Sequence, residues 1–179
     1  SEMCIRDRAG AALLRMQSNR MRALFERDLT LPGEDIAMTI GPDDTSADAG
    51  TTSAPFDTHS EDLPALAVIG DSWIAGMGPG APSPAALMGR GLSTLLGQRV
   101  RVRACTQPGA RGEEMSEQIA TVLADSRMRR SRLGSAGPRF AVISMGSADL
   151  VRPSVTRSGV AVFSSALNRL EREGGYRVV

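Results

Sequence analysis

The chain has 179 residues and a net charge of +1, and its 41% hydrophobic and 23% charged residues are typical of one globular domain. No apolar run approaches the roughly 20 residues that a membrane-spanning helix needs, and two cysteines are too few for a disulfide scaffold. The single histidine, His59, excludes a histidine-rich metal cluster, and neither a metal nor a cofactor is predicted.

Charge is distributed unevenly along the chain. Residues 1–27 carry six arginines and three acids, residues 28–64 carry nine acids and no base, and residues 65–179 carry fifteen arginines and eight acids. There is no lysine, so the arginine content is interpreted as a coding bias. Because the arginines are spread over several elements and few aromatic residues could stack on bases, nucleic acid is not a predicted partner.

The segment before residue 63 is predicted to lie outside the main domain. Residues 1–8 resemble a translated sequencing adapter and are interpreted as a non-native leader. Apolar spacing predicts a helix over 9–29, and the acidic, Gly-, Pro-, Ser- and Thr-rich stretch 30–62 is predicted to be a flexible linker. If the native start is missing, the localisation is open: cytoplasmic is the default, and secreted or anchored is the alternative.

Short apolar runs predict four strands in the rest of the chain. They lie at residues 66–69, 100–105, 140–144 and 176–179. Because strands alternate with helices and are largely apolar, the pattern predicts an α/β fold, a three-layer α/β/α sandwich with a parallel sheet. This domain, residues 63–179, is expected to be truncated at its C-terminus, since the last strand only begins there.

Three helices are predicted between these strands. The first begins at Ser83 and Pro84 and ends at Gly97, and the third ends at Gly174. The second has acids at its start and arginines at its end, as the helix dipole favours. The residues expected to face the core are Met88, Leu92, Leu95 and Leu96 in the first helix, Met115, Ile119, Val122 and Ser126 in the second, and Val160, Phe163, Leu167 and Leu170 in the third.

Small or polar loops follow the first three predicted strands, at the edge where parallel α/β sheets bind ligands. Gly70, Asp71 and Ser72 follow the first strand, and Gly70 is expected to let the chain turn there. A glycine loop around Gly109 follows the second strand, and residues 145–150 follow the third. A serine on a tight strand-to-helix turn, with backbone N–H groups beside its oxygen, has the geometry of an acyl-transfer nucleophile.

Several blocks of this domain resemble the SGNH (GDSL) hydrolases, and most of all their actinobacterial branch. The blocks that fit in sequence or spacing are residues 66–78, 86–92, 108–112 and 140–149. The first contains the Gly70-Asp71-Ser72 motif, and the blocks follow predicted strands in the family's order. The resemblance covers residues 63–179 and implies the flavodoxin-like SGNH fold.

The resemblance also implies roles for individual residues. Ser72 matches the nucleophile, and the backbone N–H groups of Ser72 and Gly109 match two donors of the oxyanion hole. The family's third donor is an asparagine side chain, and Ala148 stands at that position here. The family's general base is a histidine in a late Asp-x-x-His block, whereas His59 precedes Ser72 and does not match it. The residues expected to face the substrate are Asp71, Gly146, Ala148 and Asp149.

The activity implied by the resemblance is that of a serine esterase or related acyl hydrolase. Ser72 would attack the carbonyl of a small-molecule ester or acylated substrate, and water would then release the acid. The histidine is expected to lie beyond Val179. Without it and the asparagine, this chain is expected to be nearly inactive as a hydrolase, whereas the full-length parent is expected to be a carboxylic-ester hydrolase. The alternative is a degenerate, non-catalytic module of the same fold that binds an acyl or glycan ligand. Cys105, at a strand end, is predicted to be a structural thiol.

Overall fold

The structure is a computed structural model that describes residues 33–44, 63–71, 74, 83–128, 137–144 and 157–179. All of them belong to one structural unit, Pro32–Val179. The predicted leader and the predicted helix at 9–29 lie outside the described residues. No helix in the described part of the chain is long and apolar enough to cross a membrane.

Strands and helices alternate along the described chain. The strands are β1 (Glu34–Ile40), β2 (Ala65–Gly70), β3 (Val100–Thr106), β4 (Arg139–Ser144) and β5 (Arg177–Val178). The helices are α1 (Pro84–Leu96), α2 (Gly112–Ala124) and α3 (Arg157–Arg172), and a 3₁₀ turn, Ser126–Met128, follows α2. The four strands and three helices predicted after residue 63 are therefore confirmed.

The strands form one five-stranded sheet in the order β1-β3-β2-β4-β5. Strands β2 to β5 are parallel, whereas β1 lies antiparallel to β3 at one edge. The four predicted strands are parallel to one another, but the architecture is α/β with a mixed sheet because β1 joins it antiparallel. The antiparallel edge strand comes from a stretch that was predicted to be linker.

Strand β1 corrects the predicted linker at residues 34–40. Its apolar residues Ile36, Met38 and Ile40 face one side of the sheet and join its core. On the other side, Asp35 forms an ion pair with Arg103 of β3. These partners lie more than 60 positions away in sequence, so tertiary contacts stabilise a strand that the local composition does not favour.

Helices cover both faces of the sheet. Helix α1 packs on the face that carries Leu66 and Val68, whereas α2 and α3 pack on the face that carries Ala67 and Ile69. The chain moves from β2 to β3, and then crosses back over β2 to β4 and on to β5. Crossover connections between parallel strands are right-handed. Because the chain moves across the sheet in one direction from β2 to β3 and in the other from β3 to β4 and β5, α2 and α3 lie on the face opposite to α1.

The ends of α1 match the prediction, and three of its four predicted core residues, Met88, Leu92 and Leu96, pack against the core. Pro84 occupies the start of the helix, and Gly97 ends it in the left-handed conformation with φ of 65°. Leu95 is 80% exposed, so its predicted place in the core was wrong. Small residues face the sheet instead, because a Cβ at Gly89 would lie 2.5 Å from Val102 Cγ2. The close approach of helix and sheet thus selects glycine over leucine at the contact.

The other two helices bury most of their predicted core residues. Met115, Ile119 and Val122 are buried in α2, and Phe163 and Leu170 are buried in α3. The two predicted positions that are exposed are Ser126, which lies beyond the end of α2, and Val160, in the first turn of α3. Both errors fall at helix ends, where the core no longer covers the helix.

Three buried arginines lie on the α2 and α3 face, toward the amino ends of the parallel strands. Arg101 and Arg139 stand in one register row on either side of Ala65, and Arg103 follows two residues later on β3. They are 4%, 5% and 6% exposed, respectively. The small side chain of Ala65 leaves room for the long side chains beside it. Arg101, Arg103 and Arg139 are called the arginine cluster below.

Acidic groups and backbone carbonyls compensate two members of the arginine cluster. Arg103 Nε lies 3.1 Å from Asp125 Oδ2, directly after α2, and Arg103 also pairs with the exposed Asp35. Arg101 donates a hydrogen bond to the carbonyl of Leu63 at 3.2 Å. Buried charge is costly unless it is paired and hydrogen-bonded, and these contacts offset part of that cost.

The third member of the arginine cluster, Arg139, joins β4 to the chain segments that follow α2 and α3. Its guanidinium donates to the carbonyl of Met128 and, at 2.8 Å, to the hydroxyl of Tyr176. The guanidinium carbon also lies 4.4 Å from the centre of the Tyr176 ring, within the range of a cation–π interaction. Arg139 therefore fixes the start of β5 against the centre of the sheet.

Candidate functional site

The carboxyl ends of three central strands are aligned in the sheet. Gly70, the last residue of β2, is in register with Thr106 of β3 and Ser144 of β4. Backbone hydrogen bonds link the chain just past these ends: Gln107 N donates to Gly70 O at 3.0 Å, and Asp71 N donates to Ser144 O at 3.3 Å. The loops that follow the three strands therefore leave the sheet from one edge, called the carboxyl edge below.

Two of the predicted site residues, Asp71 and Gly109, are described by the structure. Four other predicted site residues lie outside the described part of the chain: Ser72, Gly146, Ala148 and Asp149. His59 lies outside it as well. The described residues place the start of the first loop beside the start of the second, through the Gln107–Gly70 hydrogen bond.

A tight turn begins directly after β2. Asp71 is fully buried, and its carbonyl accepts a hydrogen bond from Ile74 N at 3.2 Å, which closes a four-residue turn. A Cβ on Gly70 would lie 2.5 Å from Ser144 O and 2.9 Å from Ile74 Cγ2. Gly70 is therefore required by the close approach of β4 and the turn. Its φ is not positive, so the close approach and not a left-handed conformation selects glycine here.

Gly109 occupies the second central position of a turn between β3 and α2. Ala110 N donates to Gln107 O at 3.0 Å, and Gly109 has a φ of 74°. With Pro108 before it, this is the pattern of a type II turn, which needs glycine at that position. The Gly109 N–H belongs to the central peptide and takes no part in closing the turn; no described residue accepts a hydrogen bond from it. The turn thus holds an N–H group in a position to donate to a ligand.

Helix α2 begins directly after this turn. Arg111, at the N-cap position, donates its backbone N–H to the Glu114 carboxylate at 2.5 Å, which closes one half of a capping box. Glu113 and Glu114 occupy the first helical turn, as predicted. Because a helix that follows a parallel strand starts at the carboxyl edge, its positive dipole end lies on the same side as the Gly109 turn.

Gln118 is a site residue that the sequence analysis missed. It projects from the buried face of α2 and is 9% exposed. Its Oε1 accepts a hydrogen bond from Gly70 N at 3.0 Å, and its Nε2 donates to Gly70 O at 3.3 Å. The one available signal was its place among Met115, Ile119 and Val122, since a polar residue on an otherwise apolar helix face requires a buried partner.

A cleft of about 220 Å³ opens beside the end of β3. Asp35, Glu114 and Glu117 contribute carboxylates to its wall, and Gln118 and Cys105 lie at its inner side. Burial raises the pKa of the Cys105 thiol to about 11, so the group is a protonated thiol at neutral pH and a poor nucleophile. The chemistry of this edge therefore depends on the loop residues and backbone amides.

The described part of the site consists of a buried turn start at Asp71, the Gly109 turn with its N–H group, and the hydrogen bonds of Gln118 to Gly70. Comparison with family models, with curated proteins and with solved structures finds no match to this chain. What the site can do is therefore argued from its own residues. An oriented N–H group beside the strand end that precedes a serine can stabilise negative charge on an oxygen atom.

Proposed function

We propose that this chain is a serine esterase or acyl hydrolase of the SGNH type, with Ser72 as the nucleophile. The main support for the proposal is the conformation of the turn around Gly109. It holds an N–H donor at the carboxyl edge, next to the strand end from which the Gly70-Asp71-Ser72 motif continues. A nucleophile and an oxyanion donor at neighbouring strand ends are what acyl transfer requires.

The order of the parallel strands supports the same fold assignment. Counted from β2, the parallel strands stand in the order 2-1-3-4. This is the order of flavodoxin-like sheets, whose ligands bind where the direction of travel reverses. In this sheet the reversal lies between β2 and β4, the strands followed by Ser72 and by residues 145–150. The resemblance to SGNH sequences and the strand order thus agree on one crevice.

In the proposed reaction the Ser72 hydroxyl oxygen attacks the ester carbonyl. The backbone N–H groups of Ser72 and Gly109 stabilise the oxyanion, and the serine proton passes through water to the leaving oxygen, which departs as the alcohol. Water then hydrolyses the acyl-enzyme to release the acid and restore the Ser72 hydroxyl. Ala148 supplies no side-chain donor, and loss of one such donor typically lowers turnover by about 10²–10³-fold. None of the residues from 73 to 179 is a histidine, so no residue of this sequence matches the family's general base. We expect this chain to acylate slowly.

A non-catalytic binding module is the second candidate function. It is favoured by one departure from the family pattern, Ala148 at the position of the asparagine donor. Such a module would keep the Gly109 N–H as a donor to the carbonyl or carboxylate of an acyl ligand. It would bind without forming a covalent intermediate.

Covalent labelling by a fluorophosphonate probe separates the two candidates. We expect slow labelling that Ser72→Ala abolishes, whereas Ser144→Ala, a serine at the same edge, retains it. Mass spectrometry then places the probe on Ser72. A folded protein that binds octanoate, measured by calorimetry, but never reacts with the probe would favour the binding module. Labelling that persists in Ser72→Ala would contradict the hydrolase proposal.

A further inference from the structure

We propose that Gln118 is a positioning residue, whose side-chain amide holds Gly70 and thereby sets the nucleophile turn at a fixed distance from the Gly109 donor. This inference rests on the proposed hydrolase function. The amide of Gln118 contacts both polar groups of Gly70, with Oε1 3.0 Å from its N and Nε2 3.3 Å from its O. Gly70 is two residues before Ser72, at the start of the turn that Ile74 closes.

A primary amide is suited to this contact because it presents one acceptor and one donor side by side. The N–H and C=O of a strand residue present the complementary pair. Both sides of the contact are buried: Gly70 is buried in the sheet and Gln118 is 9% exposed. An aliphatic side chain of similar size would leave the Gly70 groups without these two partners. Leaving these buried polar groups without their hydrogen bonds to Gln118 costs free energy, and this cost favours movement of the strand end.

Helix α2 makes the contact relevant to catalysis. The helix starts directly after the Gly109 turn, and Gln118 lies in its second turn. One rigid element therefore carries the oxyanion donor at its start and the contact to Gly70 less than two turns later. Gly70 O also accepts from Gln107 N, the first residue of the Gly109 turn. Both links connect the nucleophile strand to the donor turn.

The test compares Gln118→Leu with Val122→Ala, a buried residue one turn further along the same helix. The readouts are the fluorophosphonate labelling rate at saturating probe, the probe concentration for half-maximal rate, and Tm. We expect Gln118→Leu to lower the saturated rate by roughly tenfold or more, since a small misplacement of reacting groups is costly. The half-saturating concentration stays nearly the same. Val122→Ala lowers Tm but leaves the labelling rate within about twofold of the original.

Gln118→Glu gives a second test with a pH signature. A protonated carboxyl has one donor and one acceptor, as the amide has, whereas a carboxylate cannot donate to Gly70 O. The titratable and charged groups around this position are Asp71 next to Gly70, Cys105 and Arg103 on β3, Asp35 on β1, Glu114 and Glu117 on α2, and Asp125 directly after α2. The charge of Arg103 is already paired with Asp35 and Asp125. Burial and these acids raise the pKa of the introduced carboxyl. The readout is the labelling rate of Gln118→Glu divided by that of the original protein at the same pH. We expect this ratio to rise as the pH falls from 8 toward 5.

The outcomes distinguish this inference from the proposed function. If Ser72 is labelled and Gln118→Leu reacts at an unchanged rate, positioning by Gln118 is wrong and the hydrolase proposal stands. If the original folded protein is never labelled, both are wrong. If Gln118→Leu does not fold, the relative pH profile of Gln118→Glu decides: recovery at low pH supports positioning, and a flat ratio overturns it.

Discussion

The two ends of the parallel strands handle buried polar groups in different ways. At the amino end, the arginine cluster is held by Asp125, by Asp35 and by backbone carbonyls. At the carboxyl edge, a neutral amide holds the backbone of Gly70, and the Gly109 N–H donates to no described residue. Ion pairs therefore hold the buried arginines, with Asp35 reaching Arg103 from the cleft at the carboxyl edge, whereas Gly70 is held there by a neutral side chain.

The largest effect should come from breaking the arginine cluster. Arg103→Met removes the charge partner of buried Asp125, and breaking a buried ion pair typically costs about 3–5 kcal/mol. The free energy of unfolding in urea measures this loss. Adding Asp125→Asn should recover most of it, and Arg169→Met, which breaks an exposed pair with Glu173, should leave the free energy of unfolding nearly unchanged. If the Arg103 and Arg169 variants lost the same free energy of unfolding, the buried ion pair would contribute no more to stability than the exposed one.

A steric change at the carboxyl edge should rank second. Gly70→Ala forces a methyl group against Ser144 O, and such overpacking typically costs about 1–3 kcal/mol. Gly91→Ala is the matched control, because a Cβ there meets nothing within 4 Å on the exposed side of α1. It should stabilise the protein by up to about 1 kcal/mol through helix propensity. Thermal unfolding of both variants checks the contrast, and a neutral Gly70→Ala would argue against the close approach of β4.

Strain in the donor turn should produce a smaller effect. Gly109→Ala places a side chain at φ of 74°, which costs roughly 1–2 kcal/mol. Gly109→Asn should lose less stability, because asparagine tolerates the left-handed region better than alanine. Chemical denaturation gives both values. If alanine and asparagine are tolerated equally, the left-handed conformation is not required there.

The smallest effect is a pH dependence that arises at Cys105. Its pKa is about 11 in the folded state because of burial, against 9.0 ordinarily, so the folded state holds the proton more tightly. The associated stability is fully present below pH 9 and is lost as pH rises toward 11. At pH 9 the loss is already roughly 0.4 kcal/mol, and Cys105→Ala should remove this component. Denaturation curves at pH 7 and 9 measure the difference; identical losses in both proteins would show that Cys105 does not contribute.

Elements with a local signal were predictable, and those that depend on tertiary partners were not. The start of α1 at Pro84 and its end at Gly97 follow from the preferences of single residues. Strand β1 has no such signal, since Asp35 gains its partner only when β1 pairs with β3. The exposed Leu95 shows the same limit, because helical spacing alone does not reveal that Gly89 faces the sheet.

The candidate site divides in the same way. The Pro108-Gly109 pair identified the donor turn from sequence, because its conformation is set within four residues. The contact of Gln118 with Gly70 spans 48 positions and exists only once α2 has packed on the sheet. The arginine cluster likewise needs strand register, since Arg101 and Arg139 become neighbours only through Ala65. Ser72 as nucleophile stays a prediction.

The Pro108-Gly109 turn also bears on the entropy of ligand binding. A proline ring restricts one central dihedral angle before folding, and the next residue adopts a conformation that glycine enters without strain. The amide dipole of Gly109 is thus oriented before a ligand binds. A ligand oxygen that binds there need not immobilise a rotating side chain, so more of the interaction energy appears as affinity or as a lower reaction barrier.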